Sequence, residues 1–337
     1  MARRFDVAVL GAEGAVGEAL LELLAERRFP AGEISALSLN PEDGQFLSVA
    51  GLELPVENAE TFEFAQVQLA FLAEADEQLA AQAERAADAG CVVIDASGLA
   101  WKDGAIPVVV PELNPKELAA YNERGIVANP ARLAVALALV LAPLHRLAGL
   151  RRVVVTALVP ASDAGRPALE DLARETTALL NASFYERRHY PKQIAFNLLG
   201  QDGTAQADGR TATEARIATD LARLLQLESL AVTATLVSAP VFYGYGVSLE
   251  AEFERSLAVS EAAAALAAAP GLELQASVAA EDCPAPVTEA SGNERIQVGR
   301  LRHGGRGLAL WFTADNIRRC AAANALGNAE ILVRDYL

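Results

Sequence analysis

The chain has 337 residues, of which 52% are hydrophobic and 21% charged, with a formal net charge of −16. This length supports two domains, and this composition excludes a disordered chain. The acidic balance, without a visible basic patch, argues against a nucleic-acid partner, because binding phosphate requires clustered cations.

Cys91, Cys283 and Cys320 are too few and too odd in number for a disulfide framework, which fits a reducing, cytoplasmic setting. The histidines are His145, His189 and His303, with no CxxC or HExxH spacing, so no metal site is expected. The opening residues Met1-Ala2-Arg3-Arg4-Phe5-Asp6 run straight into a strand pattern, and no signal peptide is expected. The most apolar run, 131–144, contains Arg132 and falls short of the ~20 residues a membrane span needs.

In chain order, residues 6–10 (DVAVL) read as a buried strand, followed by the loop GAEGAVG at 11–17 and a helix to 27. Strands follow at 34–39, 67–72 and 91–95, with an alanine-rich helix at 77–89. Strands alternating with helices predict a mostly parallel sheet covered on both faces. Near Asn129-Pro130 the character changes. Residues 131–147 read as a long apolar helix, 152–158 as a strand, and 167–181 as an amphipathic helix. A helix at 212–225, strands at 232–237, 246–253 and 308–312, and a short helix over 262–269 come next. The closing helix, 315–333, has small residues on one face: Ala321, Ala325 and Asn328. Longer strands in this part predict an α+β domain with a mixed sheet.

In the glycine loop, Gly11 makes the tight turn, Gly14 lets the backbone approach a pyrophosphate, and Gly17 lets the helix pack on the strand. A tight βα turn without ligand has the same pattern, and Glu13 inside the loop would face phosphate charge unless it turned to solvent.

The order and spacing of further segments are specific. They are 92–95 (VVID), 107–114 (PVVVPELN), 128–130 (ANP), 194–197 (IAFN), 241–244 (VFYG), 298–300 (VGR) and 310–324 (LWFTADNIRRCAAAN). With the glycine loop, they make the chain resemble the bacterial aspartate-semialdehyde dehydrogenase family over nearly its whole length. The resemblance implies an α/β fold. An N-terminal Rossmann-type dinucleotide-binding domain, 1–130 completed by the C-terminal helix 315–337, would carry an inserted α+β dimerisation and substrate domain, 131–314. It also implies a homodimer, NAD or NADP as cofactor, and cofactor contacts from Gly11, Glu13, Gly14, Ala15, Val16, Gly17, Asn40 and Asn316.

Members of that family form a thiohemiacetal on a cysteine, pass hydride to NADP and release the acyl group to phosphate. By the same resemblance, Arg132 stands at the nucleophile position after Asn129-Pro130, Val159 at the orienting glutamine and Tyr245 at the basic histidine. Trp101 stands at the phosphate arginine, Thr213 at a substrate-helix glutamate and Ser238 at the substrate arginine, while Arg216 keeps a basic position. A guanidinium stays protonated and cannot attack a carbonyl. No catalytic residue is therefore expected at the family positions, which is the pattern of a usg-type paralogue and a pseudoenzyme. Trp101 and Arg132 could stack to plug the emptied cleft. Tyr243 and Tyr245 could be packing or hydrogen-bond donors. The alternative is a working NAD(P)-dependent oxidoreductase in amino-acid biosynthesis, on aspartate semialdehyde or another substrate, with Tyr245 as proton donor. The second strand is followed by Asn40, Pro41, Glu42 and Asp43, where NADP-using relatives carry an arginine, so no preference for NADP over NAD is expected.

Overall fold

The computed structural model describes residues 3–99, 101, 103–201, 203–277 and 279–337. Met1 and Ala2, part of the segment read as lacking a leader, lie outside them. Backbone contacts divide the chain into two units, Met1–Arg132 with Ala321–Leu337, and Leu133–Cys320.

The first unit opens with β1 (Phe5–Leu10), α1 (Ala15–Glu26) and β2 (Ala31–Ser38). A hairpin of β3 (Phe46–Val49) and β4 (Leu52–Asn58) follows, then β5 (Leu69–Leu72), α2 (Glu77–Asp88), β6 (Val92–Asp95), the short α3 (Tyr121–Arg124) and β7 (Ile126–Ala128). The seven strands lie in the order β3-β4-β2-β1-β5-β6-β7, all neighbours parallel except β3 with β4. Strands buried on both faces by flanking helices read as continuous apolar runs, which is why DVAVL and CVVID were legible. The β3–β4 hairpin was not expected. Its two-residue turn, Ala50-Gly51, has both residues at positive φ (52° and 78°) but lacks the Asn-Gly signature that marks such turns.

The second unit contains α4 (Arg132–Ala148, whose first residue belongs to the first unit), β8 (Leu150–Val159), α5 (Arg166–Leu180), α6 (Ala212–Leu224), β9 (Ala231–Ser238), β10 (Tyr245–Phe253), α7 (Val259–Ala268), β11 (Leu272–Leu274), β12 (Ile296–His303) and β13 (Gly307–Ala314). Its mixed sheet runs β11-β12-β13-β10-β8-β9. α4 is apolar all round, and its residues from Leu133 to Leu144 are buried, as a helix without a polar face requires. β12 escaped sequence reading because it is irregular: Arg300 sits at φ 52° and the register with β13 slips between Gly299 and Arg302.

After β13, Asp315 turns the chain by accepting hydrogen bonds from the backbone N–H of Ile317 (2.7 Å) and Arg318 (2.6 Å). A π-helical turn (Arg318–Ala323) leads into α8 (Asn324–Asp335). The helix expected over 315–333 thus begins later and ends at Asp335. The joints between units fall after Arg132 and after Cys320, where sequence reading put them after 130 and 314. The segment 315–320 stays with the inserted unit because Asp315 also accepts from Gly292 N at 2.6 Å. α8 docks on the first unit through amides. Asn324 Nδ2 donates to Val109 O (2.9 Å) and Asn129 Oδ1 (2.8 Å), and Asn129 Nδ2 donates to Ala321 O (3.0 Å).

Two buried carboxylates hold the irregular segment 181–200 to α5. Asp171 accepts from Tyr185 OH (2.6 Å) and from the backbone N–H of Arg188, His189 and Tyr190. Glu175 accepts from Ile194 N and Ala195 N and pairs with Arg187. Burial alone would raise the Asp171 carboxyl, but the bonds from Tyr185, His189, Tyr190 and Arg188 outweigh it and hold it below its ordinary value. A carboxyl so lowered stabilises the fold above its unfolded pKa, and that contribution is lost as pH falls through the lower folded value. Asp171→Ala should cost about 3 kcal/mol or more in urea unfolding at pH 7, since several donors lose their acceptor together. The gap between variant and wild type should narrow below roughly pH 4.

Candidate active site

In an open parallel sheet, ligands bind beyond the carboxyl ends of the strands where the chain reverses direction across the sheet. Here β1 leads through α1 to β2 on one side, while β5 pairs with β1 on the other, so the crevice lies between the loops after β1 and β5.

The glycine loop forms the first wall. Gly11 takes φ +76°, and Gly14 caps α1 without a side-chain bond. A Cβ on Gly17 would lie 2.5 Å from Gly11 O and 2.6 Å from Ala12 Cα, so only glycine lets α1 pack this close. The predicted Gly11, Glu13, Gly14, Ala15, Val16 and Gly17 thus form one backbone cradle, with Asn40 nearby. A pocket of about 210 Å³ is lined by Gly11, Glu13, Ser38, Leu39, Asn40, Glu74, Asp76 and Leu79. Sequence reading missed Glu74 and Asp76, on the turn after β5. Asp76 caps α2 by accepting from Gln78 N (2.8 Å) and Leu79 N (3.0 Å), and Gln45 donates to Glu13. Glu74 is exposed to solvent, yet desolvation, then Asp76, then Glu13 raise its carboxyl above its ordinary value. The backbone therefore fits a dinucleotide pyrophosphate, whereas the three carboxylates around it oppose its charge.

Trp101 and Arg132 both bond to the turn at the end of β6. Trp101 Nε1 donates to Asp95 Oδ2 (2.8 Å), Asp95 Oδ1 accepts from Ser97 N (2.7 Å) and Ser97 Oγ (2.6 Å), and Arg132 Nη2 donates to Ser97 O (3.3 Å). Asp95 is fully buried. The two residues are joined through this turn. Among the described residues the cation–ring contacts are Arg3 over Phe5 and Arg85 over Phe64, so the expected stacking is not one of them.

In the inserted unit, Val159 pairs with Ser238 across β8 and β9, and Gly246 pairs with Leu158, which puts Tyr245 at the same end of the sheet. Tyr245 is buried and donates to Asp163 Oδ1 at 2.5 Å. Asn316, expected to touch cofactor, bonds within this unit to Ser162 Oγ (2.9 Å) and accepts from Gly244 N (3.1 Å). Thr213 is exposed on α6, while Arg216 pairs with Asp220 one turn along (3.4 Å). Glu214 completes a capping box with Thr211 and accepts from Leu236 N (3.1 Å), fixing α6 to β9.

The family description "semialdehyde dehydrogenase, NAD binding domain" matches residues 6–121, and "semialdehyde dehydrogenase, dimerisation domain" matches 141–319. The chain belongs to the aspartate-semialdehyde dehydrogenase family. It is 39% identical to a USG-1 protein homolog of Azotobacter vinelandii, over 99% of both chains. It is 36% identical to aspartate-semialdehyde dehydrogenase 2 of Vibrio cholerae, over the full length of both. The crystal structure of aspartate semialdehyde dehydrogenase II complexed with ASA, also from Vibrio cholerae, superposes with a TM-score of 0.94 at 35% identity over all of both chains. The NAD-binding and dimerisation domains mark an oxidoreductase architecture. Among the described residues, no helix is long and apolar enough to cross a membrane.

A family chemistry built on cysteine needs a thiolate. Burial pushes the Cys91 thiol up to about 11, and its Sγ lies 3.1 Å from Phe64 O and 3.2 Å from Val67 O. Cys320 is also buried, and Cys283 is half-buried. A disulfide-exchange reagent at pH 8 should modify Cys283 in the native protein and reach Cys91 and Cys320 only on unfolding, as peptide mapping by mass spectrometry would show.

Proposed function

We propose that this family member is a homodimer without dehydrogenase chemistry, acting through binding or assembly, and that any residual dinucleotide affinity does not favour NADP. The observation that carries the reading is the hydrogen-bonded turn joining Trp101, Asp95, Ser97 and Arg132. By the family resemblance, Arg132, two residues after Asn129-Pro130, puts a guanidinium where a nucleophile is expected, and Trp101 puts an indole where a phosphate-holding cation is expected. The hydroxyl of Tyr245 is committed to Asp163 and the Arg216 charge to Asp220, which supports structural uses for both. Ser238 offers no cation to a substrate carboxylate. These features also weigh against direct hydride transfer with Tyr245 as donor. The location that fits this reading is the cytoplasm.

The purified protein should neither oxidise aspartate semialdehyde nor reduce aspartyl phosphate, and Arg132→Cys alone should restore neither. A thiol introduced there would find no imidazole at Tyr245 and no cation at Ser238 or Trp101. Losing two charge-assisted contacts at roughly 1.5–3 kcal/mol each weakens substrate complexes by several orders of magnitude. NADPH formation by the wild type at ~1 per second or faster, within the usual enzyme range, would sink the reading.

Dimerisation is supported by the match to the dimerisation domain and by the exposed apolar side chains Leu180, Phe184, Phe196 and Leu198 in that unit. Light scattering at micromolar concentration should return twice the chain mass of 35.4 kDa; a monomer would count against an isologous pair.

A further inference from the structure

The crevice between β1 and β5 has a glycine wall and an acidic wall. Ala73 N donates to Leu10 O at 2.9 Å, so the turn after β5 is fastened to the end of β1. This brings Glu74 onto the glycine loop. Its Cβ stands 3.0 Å from the point where a Cβ on Gly11 would lie. Its Oε2 stands 3.9 Å from the corresponding point on Gly14. The open side of the second glycine is the direction from which a pyrophosphate approaches. The start of α1, with its unpaired N–H groups and partial positive charge, is therefore faced by a carboxylate of the chain itself.

We propose that Glu74 decides whether the glycine loop accepts a dinucleotide: as a carboxylate it excludes the pyrophosphate, and once protonated it admits one. This rests on the reading that the nucleotide-binding frame persists without the dehydrogenase chemistry. The charged groups facing Glu74 are Glu13 on the glycine loop and Asp76 on its own turn. Both are engaged, Glu13 by Gln45 and Asp76 by the first N–H groups of α2. Among the described residues the Glu74 side chain forms no hydrogen bond, so it is the group free to take a proton when a second anion arrives. Its carboxyl is already raised, and a nearby pyrophosphate would raise it further. Binding must then take up a proton, and affinity must rise as pH falls.

The test is calorimetric titration with NAD at about pH 8 and about pH 5.5, using the full chain as wild type, Glu74→Gln, Glu74→Gly and the exposed control Glu77→Gln. Thermal melts confirm folding. At the higher pH, Glu74→Gln should bind NAD about tenfold tighter than wild type, the order that removing one like-charge contact near a surface produces. Glu74→Gly, which also clears the space, should bind at least as tightly. Wild type and Glu77→Gln should tighten towards the lower pH, and Glu74→Gln should not. NADP run alongside should bind no tighter than NAD. Equal affinity of wild type and Glu74→Gln at the higher pH overturns the proposal. So does a pH dependence that survives in Glu74→Gln, which would move the proton to Glu13 or Asp76, and so does absence of NAD binding in all four proteins. Turnover of aspartate semialdehyde by the wild type would overturn the functional reading alone, because the titration measures binding without turnover.

Discussion

The first unit is closed by a small set of buried side-chain amides. Asn324 reaches from α8 to Val109 O and to Asn129 Oδ1, and Asn129 returns a bond to Ala321 O. All these groups are buried, where a donor or acceptor left unmade would cost about 1–3 kcal/mol. The chain leaves this unit after Arg132 and re-enters it at Ala321, so the link is the point at which an insertion of nearly two hundred residues must close. Gly327 adds a steric condition, since a Cβ there would lie 2.9 Å from Pro111 Cγ. Asn129-Pro130 is held by this link, and position 132 follows from it. The backbone that would present a nucleophile is thus fixed by contacts that do not involve the side chain at position 132. Frame and chemistry are separable for that reason, and a family fold does not by itself carry the family reaction.

The residues at the expected catalytic positions are integrated into their surroundings. The Trp101 indole N–H finds Asp95, the Tyr245 hydroxyl finds Asp163, and Arg216 finds Asp220. These three polar groups have partners, as a stable fold requires of buried polar atoms, while Arg132 bonds through Nη2 and leaves its Nε buried without a hydrogen bond. Local consistency of this kind is what specifies a single structure.

The alternating strands and helices of the first unit were legible because a parallel sheet buried on both faces writes itself as short apolar runs between amphipathic helices. DVAVL and VVID are of this kind, and in the second unit the apolar run of α4 was legible for its length. Elements defined by backbone irregularity were not legible. The β3–β4 turn uses Ala50 at positive φ, and β12 is bent by Arg300 at positive φ. L-residues rarely adopt that conformation, so no residue type announces it. At the candidate site, the glycines and the positions of Arg132, Trp101 and Tyr245 could be read from neighbouring motifs. Asp220, four residues after Arg216 on one helix, is a local pair that spacing alone could have suggested. The partner Asp163 could not be read, because a hydrogen bond between side chains 82 residues apart leaves no local pattern. Glu74 and Asp76 were missed for the same reason. They lie more than fifty residues beyond the loop they face, and nothing in the string EADEQ says which wall of a crevice it forms.

The glycine loop therefore says less than its pattern suggests. Gly17 is held by sterics alone: its missing side chain leaves room for the carbonyl of Gly11, whatever the crevice contains. Gly11 is held by its positive φ, which a left-handed turn demands with or without a ligand. Two of the three glycines are thus explained by packing α1 against β1. Gly14 is held by neither condition: its φ is −79°, and a Cβ there would meet Gly11 O at 3.4 Å and Glu74 Oε2 at 3.9 Å. A motif of backbone permissiveness can outlast the ligand it once cradled, because the strand and helix need most of it in any case. Whether a phosphate is welcome is decided by the carboxylates that line the crevice, Glu13 on the loop itself and Glu74 and Asp76 on the opposite wall.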